Sequence, residues 1–425
     1  MDPVNSSRCC LTNGLTLLVS ENPRLPLVSI SAFVRAGANQ NPLHRPGLAA
    51  LTSQLLDEGT EKYQGDEISG LVESTGGSLS TFCEREISGI SELVTSSHLT
   101  LGLDLLQEML RCPVFPEKCF QKEKQKVLSR LQALRDDPQF VAANRLNGWV
   151  YQSSTLQFPV LGTEKSVNDL EVEELREFHR RTFAPQNTLL VVVGDVDARD
   201  VLSLCEERFS DWRNSECRRM DPPRLERQSE ALLDEVFMEK EQITIFLGHL
   251  GIRRTNPDYY ALQVMDMILG CGPGFTSRIP RKLRDEQGLA YSAYAGISPS
   301  SGLDPGRFVA WITTSPEKRQ KALDGLLFEI NELIQNGITE QELATAQDYL
   351  TGNLVFEFQS NVNVAQFLLA TELYDLGQDY AQRYPEIVRG ITCEEVHRVA
   401  RQYLDTVHYT TVVVGPTHEK TPDNQ

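Results

Sequence analysis

Apolar residues recur along this chain in two alternating rhythms. Short runs of near-continuous apolar character, Leu15 to Ser20, Leu27 to Ala36 and Thr188 to Val193, then Ile243 to Leu247, Arg307 to Thr313 and Thr410 to Val414, predict strands. Between them, longer stretches such as Lys118 to Leu134 and Lys318 to Gln335 place apolar residues at helical spacing. The alternation predicts an α+β protein built of two α/β sandwiches, each a mixed sheet with helices on one face.

The two halves repeat one another. A helical stretch, Leu170-Glu171-Val172-Glu173-Glu174-Leu175-Arg176-Glu177-Phe178-His179, precedes the strand ending at Gly194, and Ile391-Thr392-Cys393-Glu394-Glu395-Val396-His397 precedes the strand ending at Gly415. Gly194 and Gly415 stand 221 residues apart, as do Glu174 and Glu395. A second anchor, Phe115-Pro116-Glu117 with Phe120, Val127 and Leu131, matches Ile338-Thr339-Glu340 with Leu343, Leu350 and Leu354 at 223. The chain reads as a tandem duplication. Expected domains are 1–212 and 228–425, joined by a linker at 213–227 whose Pro222-Pro223 pair cannot continue a helix.

Composition narrows the partners. The chain has 425 residues, with 41 Lys and Arg against 59 Asp and Glu, and a net charge of −18 argues against nucleic acid or anionic membrane as partner. No apolar run suffices to span a bilayer, and the opening Met1-Asp2-Pro3-Val4-Asn5 lacks the regions of a signal peptide, so a cytoplasmic location is expected. The nine cysteines form no C-x-x-C pair and read as reduced packing residues, and the seven histidines show no ligand spacing.

The most telling string runs from Arg45 to Thr60, Arg-Pro-Gly-Leu-Ala-Ala-Leu-Thr-Ser-Gln-Leu-Leu-Asp-Glu-Gly-Thr. It resembles the helix of the pitrilysin/insulinase peptidases that carries the inverted zinc motif H-x-x-E-H, in the form G-x-x-H-x-x-E-H-x-x-x-x-G-T. Aligned on Gly47 and Gly59-Thr60, the ligand histidines become Ala50 and Gln54, and the catalytic glutamate becomes Ser53. Positions i, i+3 and i+4 share a helix face, so a methyl, a hydroxyl and an amide stand where that chemistry needs two imidazoles and a carboxylate. The resemblance puts the third ligand on the helix after Val114-Phe115-Pro116-Glu117, at Arg130, a permanent cation. The family's Gly-Gly-x-x-Asn-Ala edge strand, which grips substrate, reads Gly76-Gly77-Ser78-Leu79-Ser80-Thr81. On a helical wheel Leu48, Leu51 and Leu55 fall on one side, and Ala50, Ser53, Gln54 and Asp57 on the other. Glu123, which matches a family glutamate near the active site, is expected to pair with a cation on its own helix.

In the second half, Leu269-Gly270-Cys271-Gly272-Pro273-Gly274-Phe275-Thr276-Ser277-Arg278-Ile279 precedes Leu283-Arg284-Asp285-Glu286-Gln287-Gly288-Leu289-Ala290-Tyr291. These resemble the family's Leu-Gly-Gly-Gly-x-x-Ser-Arg-Leu loop and its Leu-Arg-Glu-x-x-Gly-Leu-Ala-Tyr string. The resemblance implies that Arg284 and Tyr291 bind the substrate carbonyl and stabilise its oxyanion, roles that suit a guanidinium and a phenol. The bland reading has Arg284 capping a helix or making an ion pair and Tyr291 packing at a sheet edge. For Gly270, Gly272 and Gly274, a substrate-guiding loop and a helix C-cap followed by a turn both stand.

The resemblance spans the chain and implies a non-catalytic subunit of the two-domain processing-peptidase class, a LuxS-like metallohydrolase fold that needs no cofactor of its own. Two functions stay open. In the first, a homologous zinc-bearing subunit receives Arg284 and Tyr291 in trans and hydrolyses a peptide substrate; zinc belongs to that partner alone. In the second, the chain is an inert structural or peptide-holding homodimer, like the respiratory-complex core proteins.

Overall fold

The strand-forming runs of the first half assemble in the order β1-β2-β6-β3-β5-β4, where β1 is Ser6–Cys10, β2 Thr16–Glu21, β3 Leu27–Val34, β4 Ser78–Cys83, β5 Ser88–Thr95 and β6 Thr188–Gly194. The structure is a computed structural model, and it describes residues 6–218, 224–273 and 276–416. β2 and β6 run parallel; the other pairs of this sheet are antiparallel. Alternation along the strands decides what each face meets. Val28, Ile30, Ala32 and Val34 of β3, with Leu190 and Val192 of β6, join a core with Leu103, Leu106 and Leu110 of the helix Leu99–Arg111.

The second sheet repeats this order strand for strand, without a counterpart of β1 among the described residues. It runs β7-β11-β8-β10-β9, with β7 Leu232–Phe237, β8 Ile243–Leu250, β9 Ser292–Gly296, β10 Arg307–Thr314 and β11 Thr410–Gly415. Again one pair, β7 with β11, is parallel. Sheets and helices mix in both halves, as an α+β chain should, and the duplication legible in the sequence is carried by the topology.

The two compact units do not coincide with the two halves of the chain. The first gathers 1–132, 158–221 and 354–382; the second gathers 133–157, 222–353 and 383–425. The reason is an exchange of equivalent helices. Pro138–Val150 lies in the second unit, where Ala142, Leu146 and Val150 pack on Phe246, Leu250, Val412 and Val414. Its counterpart Asn361–Leu373, which begins 223 residues later, lies in the first unit along β3 and β6. There Asn361 Nδ2 donates to Leu27 O at 3.0 Å. Helices on one face is therefore half the picture: the opposite face of each sheet is covered too, by the helix the other half supplies. Domain bounds of 1–212 and 228–425 follow chain order and miss that exchange. In the expected linker, 213–218 and 224–227 hold no helix or strand, and 219–223 lie outside the described residues.

Candidate functional site

The helix Leu48–Ser53 starts at Gly47, whose φ is 94°; a Cβ there would stand 2.7 Å from Leu161 O. Asn41 Oδ1 accepts from Ala49 N at 2.8 Å and helps satisfy the helix start. The helix packs against the helix Val172–Thr182 and against β4, so all six of its residues are buried. The wheel's polar side is therefore inside as well, Ala50 with 1 % of its surface exposed and Ser53 with none. Ser53 Oγ spends its proton on Ala49 O at 2.8 Å. Gln54, half-buried at the C-cap, keeps a buried Oε1 without a hydrogen bond. Arg130 is exposed on the helix Glu117–Leu134. A methyl, a committed hydroxyl and a single amide oxygen do not fit zinc, and the described residues hold no group of three or more His, Cys, Asp or Glu placed to hold a metal.

What remains beside this helix is acidic. Burial pushes the Asp57 carboxyl up to about 6, with Glu58 and Glu123 adding to the effect and Lys126 opposing it. Glu123 pairs with Lys126 Nζ at 2.6 Å, on its own helix. Ser80 is exposed on β4, which pairs with β5 alone among the described strands.

The second unit presents the opposite situation. Pro280–Glu286 forms a wide π-helical turn, a form that recurs at functional sites. Fixed points hold it down. Arg278 makes a two-pronged contact with Glu342, Nε to Oε1 at 2.6 Å and Nη2 to Oε2 at 2.7 Å. Burial works to raise the Glu342 pKa, but Arg278 and the Thr339 amide outweigh it and hold the carboxyl at about 2. Lys282 Nζ pairs with the buried Glu329 at 2.9 Å, and the buried Leu283 seats on Gly325, where a Cβ would stand 2.7 Å from Leu283 Cδ2. Gly288 takes φ 57°, and Lys318 Nζ donates to its carbonyl at 3.0 Å. The buried Leu289 accepts from Thr314 Oγ1.

From this frame two side chains project. Arg284, one third exposed, directs Nε to Asp285 Oδ1 at 3.0 Å. Tyr291, at the entry to β9, is 84 % exposed. Beyond β9 the fully buried Asp266 accepts from the amides of Ile297 at 3.0 Å and Ser298 at 2.7 Å, fixing the far end of that strand; burial lifts its pKa to about 7 against those hydrogen bonds.

Packing accounts for two of the three glycines. A Cβ on Gly270 would stand 2.2 Å from Ala295 N, and one on Gly272 2.5 Å from Met267 O, so each permits a close backbone approach. Gly274 lies outside the described residues. A cavity of about 400 Å³, lined by Met267, Gly272, Arg281, Ala346 and Tyr349 among others, opens beside the turn. Sequence reasoning missed the anchors Glu329, Glu342 and Asp266; only a carboxylate at a core-facing helical position could have signalled them.

Known proteins resemble this chain in sequence and in fold. The model described as Insulinase (Peptidase family M16) matches residues 16–164, and the Peptidase M16 inactive domain model matches 169–350. An uncharacterized zinc protease of Streptomyces coelicolor is 25% identical over 418 residues, 97% of this chain and 90% of that protein. One of Bacillus subtilis is 24% identical over 409 residues, 95% and 97% of the two chains. The crystal structure of a peptidase M16 inactive domain from Pseudomonas fluorescens shares the fold with a TM-score of 0.90 at 24% identity, covering 98% of this chain and 100% of that one. A protease from Helicobacter pylori does so at 0.89 and 19%, covering 97% and 100%.

Proposed function

The chain belongs to the M16 insulinase peptidase family, and we propose that it serves there as a non-catalytic subunit presenting Arg284 and Tyr291 to the active site of a homologous, zinc-bearing partner. The observation that carries this reading is the contrast within one short string. Leu283 and Leu289 are core residues and Gly288 sits in a left-handed turn, so the fold itself accounts for them. Tyr291 has no such account: it is the most exposed large apolar or aromatic side chain among the described residues.

In this reading the Arg284 guanidinium donates to the substrate carbonyl and the Tyr291 hydroxyl donates to the negative charge that develops on it. The Arg284 contact with Asp285 is a partly exposed pair of little energetic weight. The other reading, an inert peptide-holding homodimer, leaves Tyr291 without a task. Affinity capture of the tagged chain from its native cells, with bound proteins identified by mass spectrometry, tests the choice. A co-purifying homologue with intact H-x-x-E-H supports the proposal; recovery of this chain alone counts against it.

Among the described residues no helix is long and apolar enough to cross a membrane.

A further inference from the structure

The two sheets differ at one edge. In the first, β1 lies antiparallel on the outer side of β2, from Ser6 opposite Ser20 to Cys10 opposite Thr16. In the second, β7 occupies the place of β2, and among the described residues no strand covers its outer side. An uncovered edge strand is normally blunted by a proline, a lysine or a bulge, because its free amides and carbonyls recruit other strands. Leu232–Phe237 has none of these. Its two charges are already matched: Asp234 receives Arg145 at 2.8 and 2.9 Å and Trp149 Nε1 at 2.7 Å, and Glu235 pairs with Arg319. What it offers outward is apolar, with Leu233 62% and Phe237 69% exposed.

The backbone has the matching parity. Leu232 N bonds Tyr409 O and Met238 N bonds Gly415 O, so the even-numbered residues turn their amides toward β11. Residues 233, 235 and 237 therefore aim theirs outward. An antiparallel strand centred on Glu235 would meet three consecutive outward-facing residues, and if that strand is β7 of a second copy, Leu233 falls opposite Phe237 at both ends. The centre brings Glu235 opposite its own copy, each with its charge matched by Arg319. The edge is thus self-complementary under a two-fold axis, the commonest symmetry of soluble oligomers.

We propose that two copies of this chain join through β7 paired antiparallel to β7, in the register that sets Leu233 against Phe237. β7 and β9 are the opposite edges of one sheet. The pairing therefore leaves the Tyr291 edge open and does not depend on the subunit role proposed above.

The test is the mass of the full-length chain in solution, by sedimentation velocity across a concentration series, with two variants. Glu235→Pro removes an outward amide and no bond to β11; Phe237→Lys sets a cation against Leu233. The wild type should be a dimer, and each variant should raise its dissociation constant at least about 100-fold while the circular dichroism spectrum and thermal midpoint stay close to wild type. Hydrogen exchange at residues 233, 235 and 237 should be slow in the dimer, and at 233 and 237 it should be fast in Glu235→Pro. A monomeric wild type at every concentration, slow exchange at these amides in a monomer, or a dimer indifferent to both substitutions would overturn the proposal.

Discussion

The helix Leu48–Ser53 and the segment from Leu283 to Tyr291 are both recognisable family signatures, yet the fold treats them oppositely. In the first, the framing residues survive for packing: Gly47 because a Cβ would strike Leu161 O, Gly59 because its φ is 150°. The positions that would carry chemistry are sealed inside as Ala50 and Ser53. In the second, the framing residues survive for the same kind of reason, but the positions that would carry chemistry face outward. A motif's frame can outlast its function because the frame is structural; only the residues that packing leaves unexplained speak to function.

The sheets repeat the contrast. By strand register, the row Val191, Ser31, Ser91, Ser80 in the first sheet corresponds to Val412, Phe246, Trp311, Tyr294 in the second. On the opposite face, Ile30 and Glu92 correspond to Ile245 and Ile312. Glu92 is thus a carboxyl in a slot that its counterpart fills with isoleucine, buried and with neither oxygen hydrogen-bonded.

The largest expected effect comes from cutting the repeat. Expressed alone, 1–221 and 222–425 should each fail to melt cooperatively, because each carries an apolar helix whose sheet lies in the other fragment. Co-expression should restore one sharp transition. A cooperative melt from either fragment by itself would break the equivalence drawn between the exchanged helices.

Next comes the reversal of the emptied site. Ala50→His, Ser53→Glu and Gln54→His together force two larger side chains and a charge into buried space, with Arg130 still in place of the third ligand. The triple variant should lose about 3 kcal/mol or more in urea denaturation and show no zinc-dependent hydrolysis. Retained stability with chelator-sensitive peptidase activity would mean that the site is dormant rather than lost.

A smaller effect of opposite sign is expected at Glu92. Burial holds its pKa in the folded state well above the ordinary carboxylate value, so the unfolded chain ionises first: stability is highest below the unfolded pKa and falls as pH rises toward and through the folded one. Glu92→Leu should raise stability near neutral pH by about 1–3 kcal/mol and flatten that slope. Denaturation curves at several pH values decide it; a variant less stable than wild type at neutral pH would show that the carboxyl has a partner.

Much of this was legible because it rests on local periodicity. The strands β3, β6 and β11 and the helices Glu117–Leu134 and Arg319–Asn336 lie within a residue or two of their apolar patterns at most termini, and the repeat was visible as a constant offset. The exchange of Pro138–Val150 and Asn361–Leu373 was not, because an apolar helix face names no partner sheet. The strands β1, β7 and β9 were too short or too polar to stand out from their surroundings. Burial of the Ser53 face was equally hidden: a wheel shows which side is polar, not what lies against it.

The central claim is that Tyr291 acts on another subunit's chemistry, and Tyr291→Phe in the reconstituted pair tests it most directly. The change removes one exposed hydroxyl and should leave folding and assembly intact, while kcat falls roughly 100-fold or more, the usual cost of an oxyanion donor. Arg284→Ala should raise KM as well, since a carbonyl-binding cation acts on ground and transition states alike. Wild-type rates from the Tyr291→Phe complex would contradict the account and leave this chain a scaffold.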